Sequence, residues 1–151
     1  MVKSVALDLD AVLADTRPLW LDWLADAARR ARVELDGVPE DRTAAVAVLD
    51  RSLGEWRPLL ERFAADRGPL HFRPRAETSA SLRRLDGAGV RIGVFTDAPR
   101  ELADVALAHV GAARRVAVVG TLDDVLRELG GEAVVVRSRD ELANLQSGHG
   151  S

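Results

Sequence analysis

The chain has no cysteine, a single lysine (Lys3), no long apolar run and no excess of positive charge. The first absence excludes disulfides, zinc–thiolate centres and thiol nucleophiles. With lysine confined to Lys3, a cation needed further along the chain has to be an arginine. The apolar stretch Val5–Leu9 is too short to span a membrane and is interrupted by acids, so it reads neither as a span nor as a signal peptide, and a cytoplasmic protein is expected. Lys and Arg total 21 against 24 Asp and Glu, a formal charge of −3, which is not the electrostatic footprint of a nucleic-acid binder. Internal repeats are absent as well.

What is present is a series of short apolar runs separated by helical patterns. At 151 residues and 47% hydrophobic, the chain is long enough to bury one core with a small lobe inserted. Val5–Leu9, Val90–Phe95, Val116–Val119 and Ala133–Val136 are too short for helices and read as strands buried on both faces. Helical patterns cover Glu77–Asp86, Arg100–Val110 and Leu122–Leu129, each followed by a glycine stop. This alternation predicts an α/β fold, a Rossmann-like parallel sheet with right-handed crossovers and helices on both faces.

The interval from Thr16 to Pro74 contains no convincing strand. Thr16 suits a helix cap with Pro18 in the first turn, and Leu19, Trp20, Trp23, Leu24, Ala27 and Ala31 recur at helical spacing. A second helix is expected over Pro39–Leu53 and a third from Gly54 or Glu55 to Ala65, stopped by Gly68–Pro69. The expected organisation is a core from residues 1–15 and 74–145, a helical cap inserted at 16–73, and a frayed tail at 146–151. Trp20, Trp23 and Trp56 are expected to hold the inserted lobe together.

The candidate chemistry lies where the first strand ends. Aspartate is disfavoured in strands, so placing Asp8 and Asp10 at the end of a buried parallel strand costs stability unless a site uses them. Residues two apart in an extended chain project to the same side, so both carboxylates can reach one ligand. The pair points to a metal-assisted active site. Thr96 and Asp97 follow the second strand on the same carboxyl edge, where open α/β sheets place their ligands. They equally suit an ordinary helix cap ahead of Pro99.

The segment Asp8-Leu9-Asp10-Ala11-Val12-Leu13-Ala14-Asp15-Thr16, a helical insertion, and then Phe95-Thr96-Asp97-Ala98 resemble, in that order, the first two motifs of the haloacid dehalogenase (HAD) superfamily of phosphatases and related hydrolases. The likeness spans most of residues 3–110, including Phe72-Arg73-Pro74 and the helix through Leu82-Arg83-Arg84-Leu85. The resemblance implies that Asp8 is a nucleophile forming an aspartyl-phosphate and that Asp10 protonates the leaving oxygen and later activates water. It implies a Mg²⁺ ion on Asp8, the Asp10 carbonyl and a further acid, and a phosphoryl oxygen held by the Thr96 hydroxyl and the Asp97 N–H. Ala11 stands where the family commonly has Gly or Thr.

The family's remaining motifs are blurred here. Its cation would have to come from Arg114, Arg115, Arg137 or Arg139. The further acid would be Asp123 or Asp124 after the third strand, or Asp140 after the fourth; all three also suit the first turn of a helix, where carboxylates favour the macrodipole. The expected function is a Mg²⁺-dependent phosphohydrolase acting on a small phosphorylated metabolite, with no nucleic-acid or membrane partner and with the oligomeric state open. The alternative is a catalytically impaired relative serving as a binding or regulatory module.

Overall fold

A computed structural model describes residues 2–31 and 38–147. Four strands, β1 (Ser4–Asp8), β2 (Arg91–Phe95), β3 (Val118–Gly120) and β4 (Val134–Val136), form one parallel sheet in the order β3-β2-β1-β4. β1 lies inside the sheet, and its Val5, Ala6 and Leu7 are completely buried, which is why this stretch is apolar without alternation. Pairing runs Asp8 to Phe95 on one side of β1 and Leu7 to Val136 on the other. The residues that end or follow the three strands, Asp8, Thr96 and Arg137, therefore come together at one carboxyl edge.

The two faces of the sheet are covered unequally. Val5, Leu7, Ile92 and Val94 point into a large apolar cluster shared with α4 (Ala76–Gly87), α5 (Arg100–His109) and α7 (Arg139–Ser147). On the opposite face Ala6 and Phe95 meet Val125 and Leu129 of α6 (Leu122–Leu129). The result is an α/β Rossmann-like core with helices on both faces. Gly93 sets how closely α6 approaches: a Cβ there would lie 2.6 Å from Val125 Cγ1, 2.9 Å from Leu129 Cδ1 and 3.0 Å from Val118 Cγ1. Gly93→Ala is accordingly expected to destabilise the fold by about 1–3 kcal/mol through overpacking, read as a lower denaturation midpoint in urea.

The segment between β1 and β2 contributes α1 (Arg17–Ala31), α2 (Arg42–Ser52) and α3 (Trp56–His71). Trp20 and Trp23 stack at 5.4 Å between ring centroids and Trp23 and Trp56 at 5.6 Å, with the Trp56 indole N–H donating to Asp50 at 2.9 Å. All three rings belong to the same buried cluster as β1, and α3 packs along α5. Here the structure departs from the expected helix stop. α3 continues through Gly68 and Pro69 to His71, and position 68 is a glycine where a side chain would collide with the His109 ring of α5. Gly68 thus marks a close helix crossing, and Pro69 forfeits only one bond near the helix end, where Phe72 N–H closes the turn on Gly68 O at 2.7 Å.

Other boundaries shift by a few residues. α2 starts at Arg42, after the Asp41 cap, and not at Pro39. The third strand begins at Val118 because a tight turn at Ala113–Arg115 delays it. α7 extends through Ser147, into the expected tail, and the remainder of that tail lies outside the described residues.

Candidate active site

β1 ends at Asp8 because the chain then makes a wide turn over Leu9–Leu13, closed by Ala14 N–H on Leu9 O at 2.8 Å. Leu9, Val12 and Leu13 are buried by that turn, which anchors it and leaves Asp8 at the floor of a cleft of about 790 Å³. Asp8, Asp10, Thr96 and Asp97 all line this cleft, so the structure brings together the four residues of the two leading motifs. Burial pushes the Asp8 carboxyl above its ordinary value, and the Asp10 charge adds to the rise. The backbone N–H groups of Ala11 and Asp10 and the Arg137 guanidinium pull in the opposite direction.

Asp10 is engaged on both oxygens. Its Oδ1 accepts from the Thr16 N–H at 2.8 Å and the Thr16 hydroxyl at 2.5 Å. Its Oδ2 accepts from Arg42 Nη2 at 2.6 Å and, at 3.5 Å, from the Thr96 hydroxyl. Thr16 thus serves Asp10 through its hydroxyl, while its carbonyl accepts the Trp20 N–H in the first turn of α1. The Thr96 hydroxyl accepts the Ala98 N–H at 3.0 Å, so the local turn expected ahead of Pro99 and a place in the cleft coexist in one residue.

Arg42 is the residue that sequence reasoning missed. Its side chain is 4% exposed and joins the inserted segment to the core: Nε and Nη2 donate to Asp97 Oδ1 at 2.9 and 2.8 Å, Nη2 to Asp10, and Nη1 to Thr16 Oγ1 at 2.6 Å. Its backbone N–H also reaches Asp97 Oδ2 at 3.4 Å. One signal was available in the sequence. A cation in the first turn of a helix opposes the macrodipole, and Arg42 holds that position in α2.

The acids expected to complete a metal site do not come to the cleft. Asp124 pairs with Arg127 at 3.3 Å and gives its N–H to the Thr121 hydroxyl at 3.2 Å, as the cap of α6. Asp123 shares that first turn. Asp140 occupies the first turn of α7, where Ser138 Oγ accepts the Glu141 N–H at 3.1 Å and Glu141 accepts the Arg137 N–H at 3.0 Å. Both acidic segments therefore serve helix starts. Mg²⁺ needs a near-octahedral set of oxygens. Among the described residues no three of His, Asp and Glu come together to hold a metal ion, and the candidates for the further acid that should join Asp8 and the Asp10 carbonyl stand in the first turns of α6 and α7. The donor set present does not fit the ion that the resemblance implied. Of the four arginine candidates for the family's cation, Arg137 lines the cleft and Arg114, Arg115 and Arg139 do not.

No protein-family model matches the chain, and no curated protein sequence does. Solved structures match over nearly its whole length. CbbY from Rhodobacter sphaeroides, solved in complex with phosphate, is 15% identical with a TM-score of 0.63, covering 95% of this chain and 84% of that one. A putative beta-phosphoglucomutase from Thermotoga maritima is 17% identical with a TM-score of 0.55, covering 97% and 82%. A HAD phosphatase from Thermococcus onnurineus is 22% identical with a TM-score of 0.53, covering 89% and 76%. With Asp8 at the tip of an inner parallel strand, Thr96 beside it and a helical segment inserted between them, the chain has the fold of the haloacid dehalogenase superfamily.

Proposed function

We propose that the chain is a phosphohydrolase that cleaves a small phosphate monoester through an aspartyl-phosphate on Asp8. The observation that carries this reading is the placement of Asp8, partly open to solvent, in a cleft that Arg137, opposite it in the sheet register, also lines. A carboxylate there can approach phosphorus from the sheet edge while the cation offsets phosphoryl charge. A neighbour in fold, CbbY, was solved in complex with phosphate, which supports a phosphate ligand for this cleft.

In the proposed reaction an Asp8 oxygen attacks phosphorus and the bond to the leaving oxygen breaks, its electron pair remaining on that oxygen. The leaving oxygen takes a proton from Asp10. Water, giving its proton back to Asp10, then attacks the phosphorus of the aspartyl-phosphate and releases phosphate and the Asp8 carboxylate. In this reading the Thr96 hydroxyl donates to a phosphoryl oxygen. Because Arg42 and Thr16 hold Asp10 as an acceptor, donation to a leaving group requires α2 to shift and withdraw Arg42. Trp20, Leu21 and Leu122 form an apolar wall for the uncharged part of the substrate. The helices between β1 and β2 act in this reading as a cap over the cleft.

The test is turnover of a panel of phosphate monoesters, combined with rapid quenching and peptide mass spectrometry. Hydroxylamine-labile phosphate on the peptide containing Asp8 is the expected result; absence of both turnover and label overturns the proposal. The grip on Asp10 favours a second reading, a catalytically impaired module that binds a phosphorylated ligand. Saturable binding of such a ligand without turnover is its signature.

A further inference from the structure

Three arginines line the cleft, and their surroundings differ. Arg17 is paired with Asp15 at 2.9 and 3.2 Å. Arg42 is buried against Asp10, Asp97 and Thr16. Arg137 makes no side-chain ion pair or hydrogen bond among the described residues; its guanidinium lies 5.4 Å from the centre of the Phe95 ring.

The sheet register explains where that guanidinium is. Leu7 pairs with Val136, so the next residue on each strand sets Arg137 opposite Asp8, while Asp8 itself pairs with Phe95 on the other side. Side chains in this row share one face of the sheet. To stack on Phe95, which belongs to β2, the Arg137 side chain must cross from β4 over the end of β1. It therefore spans the mouth of the strand that carries Asp8. A divalent ion on Asp8 would have to share this space with a positive charge, and among the described residues no three of His, Asp and Glu cluster to hold such an ion.

We propose that Arg137 takes the place of a divalent ion in this cleft, holding a phosphoryl dianion against Asp8 through its guanidinium fork without Mg²⁺. The inference rests on reading the cleft as a phosphoryl site. A guanidinium suits this task because its planar donors match two oxygens of a phosphate at once, and the Phe95 face keeps it in position. Thr96, on the neighbouring strand end, supplies a hydroxyl to the third oxygen.

The experiment is calorimetric titration of inorganic phosphate into the full chain, once with EDTA and once with Mg²⁺. Equal affinity in both is expected. Arg137→Gln is expected to weaken phosphate binding by about tenfold or more, Arg137→Lys to recover part of the loss, and Arg83→Gln, on the exposed surface of α4, to change nothing. Arg137 is itself exposed, so the melting temperature of each variant should match the parent and separate a binding loss from unfolding. Phosphate binding that appears only with Mg²⁺, or that survives Arg137→Gln unchanged, overturns the inference. Metal-independent, Arg137-dependent binding with no monoester turnover supports the clamp and defeats the hydrolase reading. Turnover that needs Mg²⁺ does the reverse.

Discussion

Asp8→Asn is expected to lower monoester turnover by at least about 10³-fold, equivalent to roughly 4 kcal/mol of barrier, and to abolish the covalent label. An amide of the same shape keeps the hydrogen-bonding size of the side chain but cannot attack phosphorus as a ready anion. Unchanged turnover would remove Asp8 from the reaction. The same substitution is expected to raise stability at neutral pH. Burial lifts the folded-state pKa of Asp8 above the ordinary aspartate value of about 3.9, so between that value and the raised one the native state binds more protons than the unfolded chain. Stability contributed by this group therefore falls as pH rises through that window and stays lower above it. The gain in melting temperature from Asp8→Asn should be present at neutral pH and vanish below about pH 4. A gain in stability combined with a loss of turnover is the mark of a residue kept for chemistry at the expense of the fold.

Arg42→Met is expected to destabilise the fold by about 3 kcal/mol and, for a chain of this length, to lower the melting temperature by about 6–12 °C. Methionine fills much of the volume, so the loss is electrostatic. Asp10, 13% exposed, keeps its two Thr16 contacts but loses its cation, and Thr16 Oγ1 loses a donor. Asp97 is 46% exposed and recovers water, so it adds little. Arg42→Lys should recover part of the loss, because an ammonium restores charge without the fork that reaches Asp97, Thr16 and Asp10 together. In the double variant Arg42→Met/Asp10→Asn the penalty should shrink, since the carboxylate left without its cation has gone. Additive losses, measured by denaturant midpoints, would show that Arg42 and Asp10 are not coupled.

The strands were legible because a buried parallel strand has to be a short apolar run, and Val5–Leu9, Val90–Phe95 and Ala133–Val136 have no helical spacing to confuse the reading. Asp8 and Asp10 were legible for the opposite reason: polar residues where the physics of the strand asks for apolar ones. Helix ends were less so. Gly68–Pro69 looks like a stop in isolation, yet α3 runs through it, because packing against His109 outweighs local propensity. The acids Asp124 and Asp140 were ambiguous by nature. A carboxylate in the first turn of a helix has the same sequence signature whether it faces a metal or its own helix start.

The linear chain by itself determined the α/β core, the helical insertion and the cluster of Asp8, Asp10 and Thr96 at one sheet edge, because strand periodicity and the placement of polar residues at strand ends are local properties. Only the tertiary structure decided which charges meet there. Arg42 reaches Asp10 across 32 residues, and Arg137 comes beside Asp8 because β4 pairs with β1 in a register that no local pattern encodes. The charge balance of the cleft is set by strand order and helix docking. These depend on how the whole core packs, so the guanidinium beside Asp8 becomes visible when the sheet is assembled.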